Sequence, residues 1–104
     1  MLVNNNKYDK DTVVTFKLVN GDEIVAKIVE DLDSIYKVSK PCTVMPSQKG
    51  IGLIQSLFTS NLDELINLDK KHVMIHSKTA KEVENYYIQT TTGIQPAGAG
   101  GIIT

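Results

Sequence analysis

Apolar and polar residues alternate from Val13 to Ile28 (VVTFKLVNGDEIVAKI), with a break at Asn20-Gly21. That pattern predicts a β-hairpin. Val14, Phe16 and Leu18 share one face of the first arm, and Ile24, Ala26 and Ile28 share one face of the second. A two-residue loop of Asn20 and Gly21 would set Phe16 against Val25 and part the two apolar sets. A three-residue loop, Val19-Asn20-Gly21, sets Phe16 against Ile24 and Val14 against Ala26. A slip of one residue turns a whole apolar face to water, so the longer loop is expected. It also gives Gly21 the third loop position, where φ is positive.

The period of two continues downstream. The second arm runs to an acidic corner, Glu30-Asp31-Leu32-Asp33, and Asp33-Ser34 reads as a turn. Ile35–Met45 is a third strand, with Tyr36, Val38, Cys42 and Val44 at one parity and expected in the core. Pro41 has no N–H for a ladder and marks a bend, a bulge or an edge. Ile51–Phe58 and Leu62–Leu68 read as one strand interrupted at Thr59-Ser60-Asn61. Asp69-Lys70-Lys71 is a tight turn, and His72–His76 a short last strand.

At Thr79 the period changes to 3.6. Thr79-Ala80-Lys81-Glu82 has the capping-box spacing, a hydroxyl residue followed three later by Glu. Ala80, Val83, Tyr86, Tyr87 and Thr90 make one stripe, expected to pack on the strands or to meet a partner, and Gly93 stops the helix. Residues 1–11 are a polar lead-in, mobile or loosely docked, and 93–104 form a Gly/Ala-rich tail.

These elements predict a single domain over residues 1–104, with a barrel over 12–76 and a C-terminal helix over 79–92. The fold class is all-β with one added helix (small α+β): a strongly bent, partly open, five-stranded antiparallel barrel. Its free edges are blunted only by Pro41 and scattered lysines. Pairing them with edges of identical subunits predicts a homo-oligomeric ring.

Composition narrows the function. The 104 residues carry a net charge of −1, which argues against a protein that coats nucleic acid generally and leaves room for a local basic site. All eleven basic residues are lysine, so a bidentate guanidinium contact to phosphate or base is excluded. Cys42 is the single cysteine, which excludes an intrachain disulfide and fits a reducing cytoplasm. No apolar run is long enough to span a membrane, and Met1-Leu2-Val3 passes at once into three asparagines, unlike a signal peptide.

Candidate chemistry is sparse. His72 and His76 share a strand face, but no Cys or Asp stands at metal-ligand spacing from them, so neither metal nor another cofactor is expected. Cys42 reads as a small buried hydrophobe. The acid pairs Asp22-Glu23, Glu30-Asp31 and Asp63-Glu64 flank turns and read as solvated faces. Gly98-Ala99-Gly100-Gly101 lacks the strand and helix a phosphate loop needs. With no nucleophile–base–orienter set in view, no enzyme is expected.

Leu18-Val-Asn20-Gly21-Asp-Glu-Ile24 resembles the first half of the Sm-fold signature. Asp33-Ser34-Ile35-Tyr36-Lys37 lies where that family has Asp-x-hydrophobic-hydrophobic-Asn. Ile66-Asn-Leu-Asp-Lys70-Lys71-His72-Val73-Met74-Ile75 is similar to the second signature, and Lys71-His72 is similar to the Lys-His pair of its bacterial Hfq-like branch. The whole chain, including Tyr87-Ile-Gln89-Thr-Thr-Thr-Gly93-Ile94-Gln95, resembles Sm-like proteins of tailed phages of marine bacteria. The resemblance covers roughly residues 12–76. It implies a ring of about five to seven subunits in which the fourth strand of one pairs with the fifth of the next. It also implies single-stranded RNA as partner. Ile35 or Tyr36 would be the base platform and Asp33 would anchor its loop. Lys70, Lys71 and His72 would meet bases and phosphate. Lys37 stands where the family has Asn, and the second motif has lysines in place of Arg-Gly. A ring multiplies a weak site, so avidity can replace individual affinity. The expected function is single-stranded RNA binding or RNA chaperoning. The alternative is a ring-shaped adaptor for a host or phage protein, without RNA.

Overall fold

The computed structural model describes residues 7–92 and the pair 102–103. The elements are β1 (Val13–Leu18), β2 (Glu23–Asp31), β3 (Ile35–Ser47), β4 (Gly50–Gln55), β5 (Leu65–Asp69), a 3-10 turn (Lys70–His72), β6 (Val73–Lys78), α1 (Lys81–Thr92) and β7 (Ile102–Ile103). All pairings are antiparallel, in the order β6-β1-β2-β3-β4-β7, with β5 also on β3. Among the described residues the fold is mostly β with one α-helix, and the sheet does not close.

The hairpin has the register that its apolar pattern demands. Val14 faces Ala26 and Phe16 faces Ile24. The loop is closed by Leu18 N–H to the Asp22 carbonyl (2.8 Å) and Gly21 N–H to the Leu18 carbonyl (2.9 Å). Gly21 sits at φ +98°, the conformation an L side chain resists.

The long strand β3 holds two partners in succession. Its first half, Ile35–Ser39, pairs with β5, and its second half, Cys42–Ser47, pairs with β4. The expected interrupted strand is therefore two strands, and the interruption is the wider loop 56–64. The strand reading at Ser56–Phe58 and Leu62–Glu64 gives way because this loop makes its own contacts. The Gln55 side-chain amide donates to the Leu57 and Ser60 carbonyls, and Asn61 Oδ1 accepts from Asp63 N–H.

Two bulges bend the sheet. Between the Val25–Cys42 and Lys27–Ser39 pairs, β3 has one residue more than β2, at Lys40-Pro41. Lys40 takes φ +50° there. Between Ile28–Val38 and Glu30–Lys37 the extra residue is on β2, at Val29. Each bulge deepens the local twist.

The bend creates two cores, one on each face of the sheet. The inner core joins Val14, Phe16, Ile24, Ala26, Ile28, Tyr36 and Val38, with Tyr8, Leu18, Ile66, Leu68 and Val73 against it. The outer core joins Val13, Val25, Cys42, Leu53 and Tyr87, with Val44, Val83 and Tyr86 against it. Parity alone puts Cys42 beside Tyr36 and Val38. The extra residue at Lys40-Pro41 instead turns Cys42 to the opposite face, against the helix. Burial there pushes its thiol up to about 11.

Tyr87 explains why the helix sits where it does. The bulge interrupts the ladder, and the Tyr87 hydroxyl lies over the gap. It donates toward the Ser39 and Lys40 carbonyls (both 2.9 Å) and accepts from Lys27 N–H (3.1 Å). Lys40 Nζ donates to the Thr91 carbonyl at 3.1 Å, a second tie from the bulge to the helix. The helix begins at Lys81 rather than at the Thr79 capping position. The Thr79 hydroxyl is shared with that of Thr15 (2.8 Å), and Thr79 N–H donates to the Val13 carbonyl. Gly93, the expected stop, lies outside the described residues, as do 1–6 and most of the tail.

Candidate nucleic-acid interface

The turn Lys70–His72 is built locally and tied from both sides. Asp69 caps it, its carboxylate accepting Lys71 N–H at 2.9 Å, and Val73 N–H donates to the Lys70 carbonyl. Lys70 N–H donates to the Ser34 carbonyl (3.0 Å), and the His72 carbonyl accepts Val19 N–H (2.9 Å). The turn therefore contacts both the β1–β2 loop and the β2–β3 loop. Ile35 pairs with Asp69, and Lys37 pairs with Asn67. The two segments that the sequence singled out, 33–37 and 70–72, lie side by side.

Within that end, the side chains divide into two groups. Lys71 and His72 are exposed. Lys71 Nζ lies 3.6 Å from Asp69 Oδ2, a loose surface pair. The Lys71 amide hydrogen bond comes first among the causes that hold the Asp69 carboxyl below the usual range, followed by the charges of Lys71 and His72. Ile35 and Lys37 are half-buried. Asp33 is exposed, with its carboxylate 3.4 Å from Lys7 Nζ.

Tyr36 and Lys70 belong to an interior cluster instead. Tyr36 is 5% exposed. Its ring meets Phe16 (4.9 Å between centroids), His76 (6.1 Å) and Tyr8 (6.3 Å), and Lys70 Nζ lies 4.5 Å over its centroid. Almost no ring surface is open for a base to stack on. Lys70 Nζ also bonds Asp31 Oδ1 at 2.6 Å, and this carboxylate is only 5% exposed. Asp31 Oδ2 accepts Tyr8 N–H at 2.9 Å. Burial works to raise the Asp31 carboxyl. The hydrogen bonds from Lys70 and Tyr8, with the charges of Lys70 and Lys7, outweigh burial and hold it below the usual range.

Tyr8, Asp31 and His76 are the residues that sequence reasoning left out of this end. Tyr8 lies in the stretch read as a loose lead-in, yet its hydroxyl is 2.6 Å from His76 Nδ1. Its neighbours also dock, through Lys7 Nζ to the Asp31 carbonyl and Asp11 N–H to the Ile28 carbonyl. Asp31 was one of a pair read as a solvated face. The single signal available was an isolated aromatic, Tyr8, in a polar run.

Among the described residues no three His, Cys, Asp or Glu side chains converge as a metal would need. No helix among them is long and apolar enough to cross a membrane. Large apolar side chains are also exposed among the described residues. Phe58 is 77% exposed, and Leu57, Leu62 and Leu65 are exposed as well. Met74 and Ile75, on β6, are both 60% exposed.

The chain matches no family model and no curated protein. Its reading therefore rests on its own residues.

Proposed function

We propose that the chain is an Sm-like protein, of the phage type its sequence resembles, that assembles into a ring of about five to seven subunits and binds single-stranded RNA. The observation that carries this reading is the junction of segments 33–37 and 70–72, with Lys71 and His72 side chains presented to solvent on a turn held by three backbone anchors. The strand order supports the Sm-like part: β1 is shared by β2 and β6, and a 3-10 turn joins β5 to β6. RNA contact falls to Lys71 and His72, with Ile35 and Lys37 beside them. Tyr36 supports the turn from beneath, since its ring already carries Lys70. Each subunit offers a weak site, and repetition around a ring supplies the affinity. The single cysteine fits a reducing, cytoplasmic setting.

Fluorescence anisotropy with short oligo(U) and oligo(A) tests the reading. Binding should weaken between about 50 and 200 mM salt, as lysine–phosphate contacts do. It should fall at least about tenfold in the Lys71→Ala, His72→Ala double variant. No binding at the lower salt, or binding unchanged in that variant, refutes it.

A second reading is favoured by the exposed Leu57, Phe58 and Leu62 and by the −1 net charge. In it the ring is an adaptor for a host or phage protein. A partner recovered from host lysate that survives nuclease treatment, with no oligonucleotide binding, selects it.

A further inference from the structure

Lys70 stands first in the basic turn, yet its charge is already engaged. Its Nζ lies 2.6 Å from Asp31 Oδ1, against 3.6 Å between Lys71 Nζ and Asp69 Oδ2. The Asp31 carboxylate is 5% exposed and the Lys70 side chain 28%, so this pair is shielded where Lys71 is open. An ammonium is a compact point charge, and it pairs with a carboxylate or a phosphate alike. Asp31 therefore occupies the place on Lys70 that an RNA phosphate would take.

Residues 7–11 hold Asp31 in that position. Its Oδ2 accepts Tyr8 N–H at 2.9 Å, and its carbonyl accepts from Lys7 Nζ at 3.1 Å. This strap is fastened at two further points. The Tyr8 hydroxyl lies 2.6 Å from His76 Nδ1, and Asp11 N–H donates to the Ile28 carbonyl at 2.7 Å. One carboxylate thus joins the strap to the turn, each oxygen serving one side. The backbone of Lys70 does not depend on the pair. Its N–H donates to the Ser34 carbonyl, and its carbonyl accepts Val73 N–H. Freed from Asp31, the side chain can swing toward solvent on its flexible stem while the turn keeps its shape.

We infer that Asp31 is an internal competitor of RNA phosphate for Lys70, and that the strap 7–11 keeps it in place. This rests on the RNA reading above and adds a regulation of the same site. With the strap docked, each subunit offers Lys71 and His72; with the strap released, Lys70 joins them. Asp31→Asn removes the competitor by stereochemistry. An amide has one oxygen where the carboxylate has two. With that oxygen on Tyr8 N–H, its NH2 group faces the Lys70 ammonium, donor against donor. Turned the other way, the NH2 group faces the Tyr8 amide. Either orientation loses one of the two ties.

Fluorescence anisotropy with oligo(U) on the full chain tests the inference, with circular dichroism to verify that each variant is folded. Apparent affinity scales with the fraction of subunits in which Lys70 is free, so Asp31→Asn should bind at least about threefold more tightly than wild type at low salt. Its log–log salt slope should steepen by about 0.7 for each added phosphate contact. Asp33→Asn makes the same charge change at an exposed carboxylate, and the gain at Asp31 should exceed it. Adding Lys70→Ala to Asp31→Asn should remove the gain. Tyr8→Ala keeps every charge, releases the strap and should tighten binding by about twofold. Acetylation of amines read by mass spectrometry needs no RNA: Lys70 should react more slowly than Lys71 in wild type, and as fast as Lys71 in Asp31→Asn. Tyr8→Ala and the wild-type labelling carry the test if Asp31→Asn does not fold. A wild type that binds, with Asp31→Asn no tighter than Asp33→Asn, overturns the competition and leaves the RNA reading standing. A gain that survives Lys70→Ala overturns the part given to Lys70, and unchanged binding by Tyr8→Ala overturns the part given to the strap. Lys70 that reacts as fast as Lys71 in wild type overturns the shielding. No binding by wild type and Asp31→Asn alike overturns both readings.

Discussion

Replacing Tyr87 by Phe isolates one oxygen atom. The ring stays, so no cavity forms. What goes is the hydroxyl that serves the Ser39 and Lys40 carbonyls and the Lys27 amide at the bulge. Tyr87 is 1% exposed, so these groups lose their partner away from solvent. The orphaned amide alone costs about 1–3 kcal/mol, and the carbonyls add less because each keeps a second lone pair. The sum is about 2–3 kcal/mol. With a urea m-value near 1.5 kcal/mol/M for a chain of this size, the midpoint should fall by roughly 1.3–2 M at unchanged slope. Equilibrium urea unfolding followed by circular dichroism measures it. A midpoint within about 0.3 M of wild type would show that the bulge does not depend on the hydroxyl, and the account of why the helix docks there would fail.

Three further outcomes follow from the same geometry. Asp31→Asn should cost about 1–2 kcal/mol at pH 7 by weakening the bonds to Lys70 and Tyr8. The folded carboxyl lies below its unfolded value, so its contribution is complete above about pH 4 and is lost as the pH falls through the folded value. Melting temperatures from pH 7 to 2 should therefore converge for wild type and variant in acid, and parallel curves would contradict this. Gly21→Ala should cost about 1 kcal/mol, all of it from the backbone, because a Cβ there meets nothing within 4 Å. A thermal melt equal to wild type would sink that claim. Cys42, buried and with its thiol raised to about 11, should react with Ellman's reagent at pH 8 at least about a hundredfold slower in the native protein than in urea. Equal rates would place it at the surface.

The hairpin was legible because its two signals are local: a period of two, and Gly21 where φ must be positive. The outer core was not. Val13 and Val25 fall on the parity that alternation assigns to water. They are buried because Tyr87, some sixty residues later, covers them. Cys42 was misassigned for a related reason. Pro41 marked an irregularity, but not that one extra residue would send the strand's apolar side chains from one face to the other. Thr79 had the spacing of a helix cap, and a tertiary partner, Thr15, took its hydroxyl instead. At the candidate interface, segments 33–37 and 70–72 were singled out through resemblance, and it is the β3–β5 pairing that sets them side by side. The cluster beneath it was not, because Tyr8, Asp31 and His76 come from three segments and none carries a pattern of its own.

The two-sided burial of β2 has a consequence for how the molecule opens. This strand lies between β1 and β3, with the inner core on one face and the outer core on the other. Local opening events that lift the helix expose only the outer face, and those that fray β5 and β6 reach only the inner one. The amides of Val25–Ile28 should therefore exchange with solvent deuterium only through global unfolding, whereas those of β6 and α1 exchange through cheaper, separate events. One strand is the common member of two cooperative units, and their protection factors should be ordered accordingly.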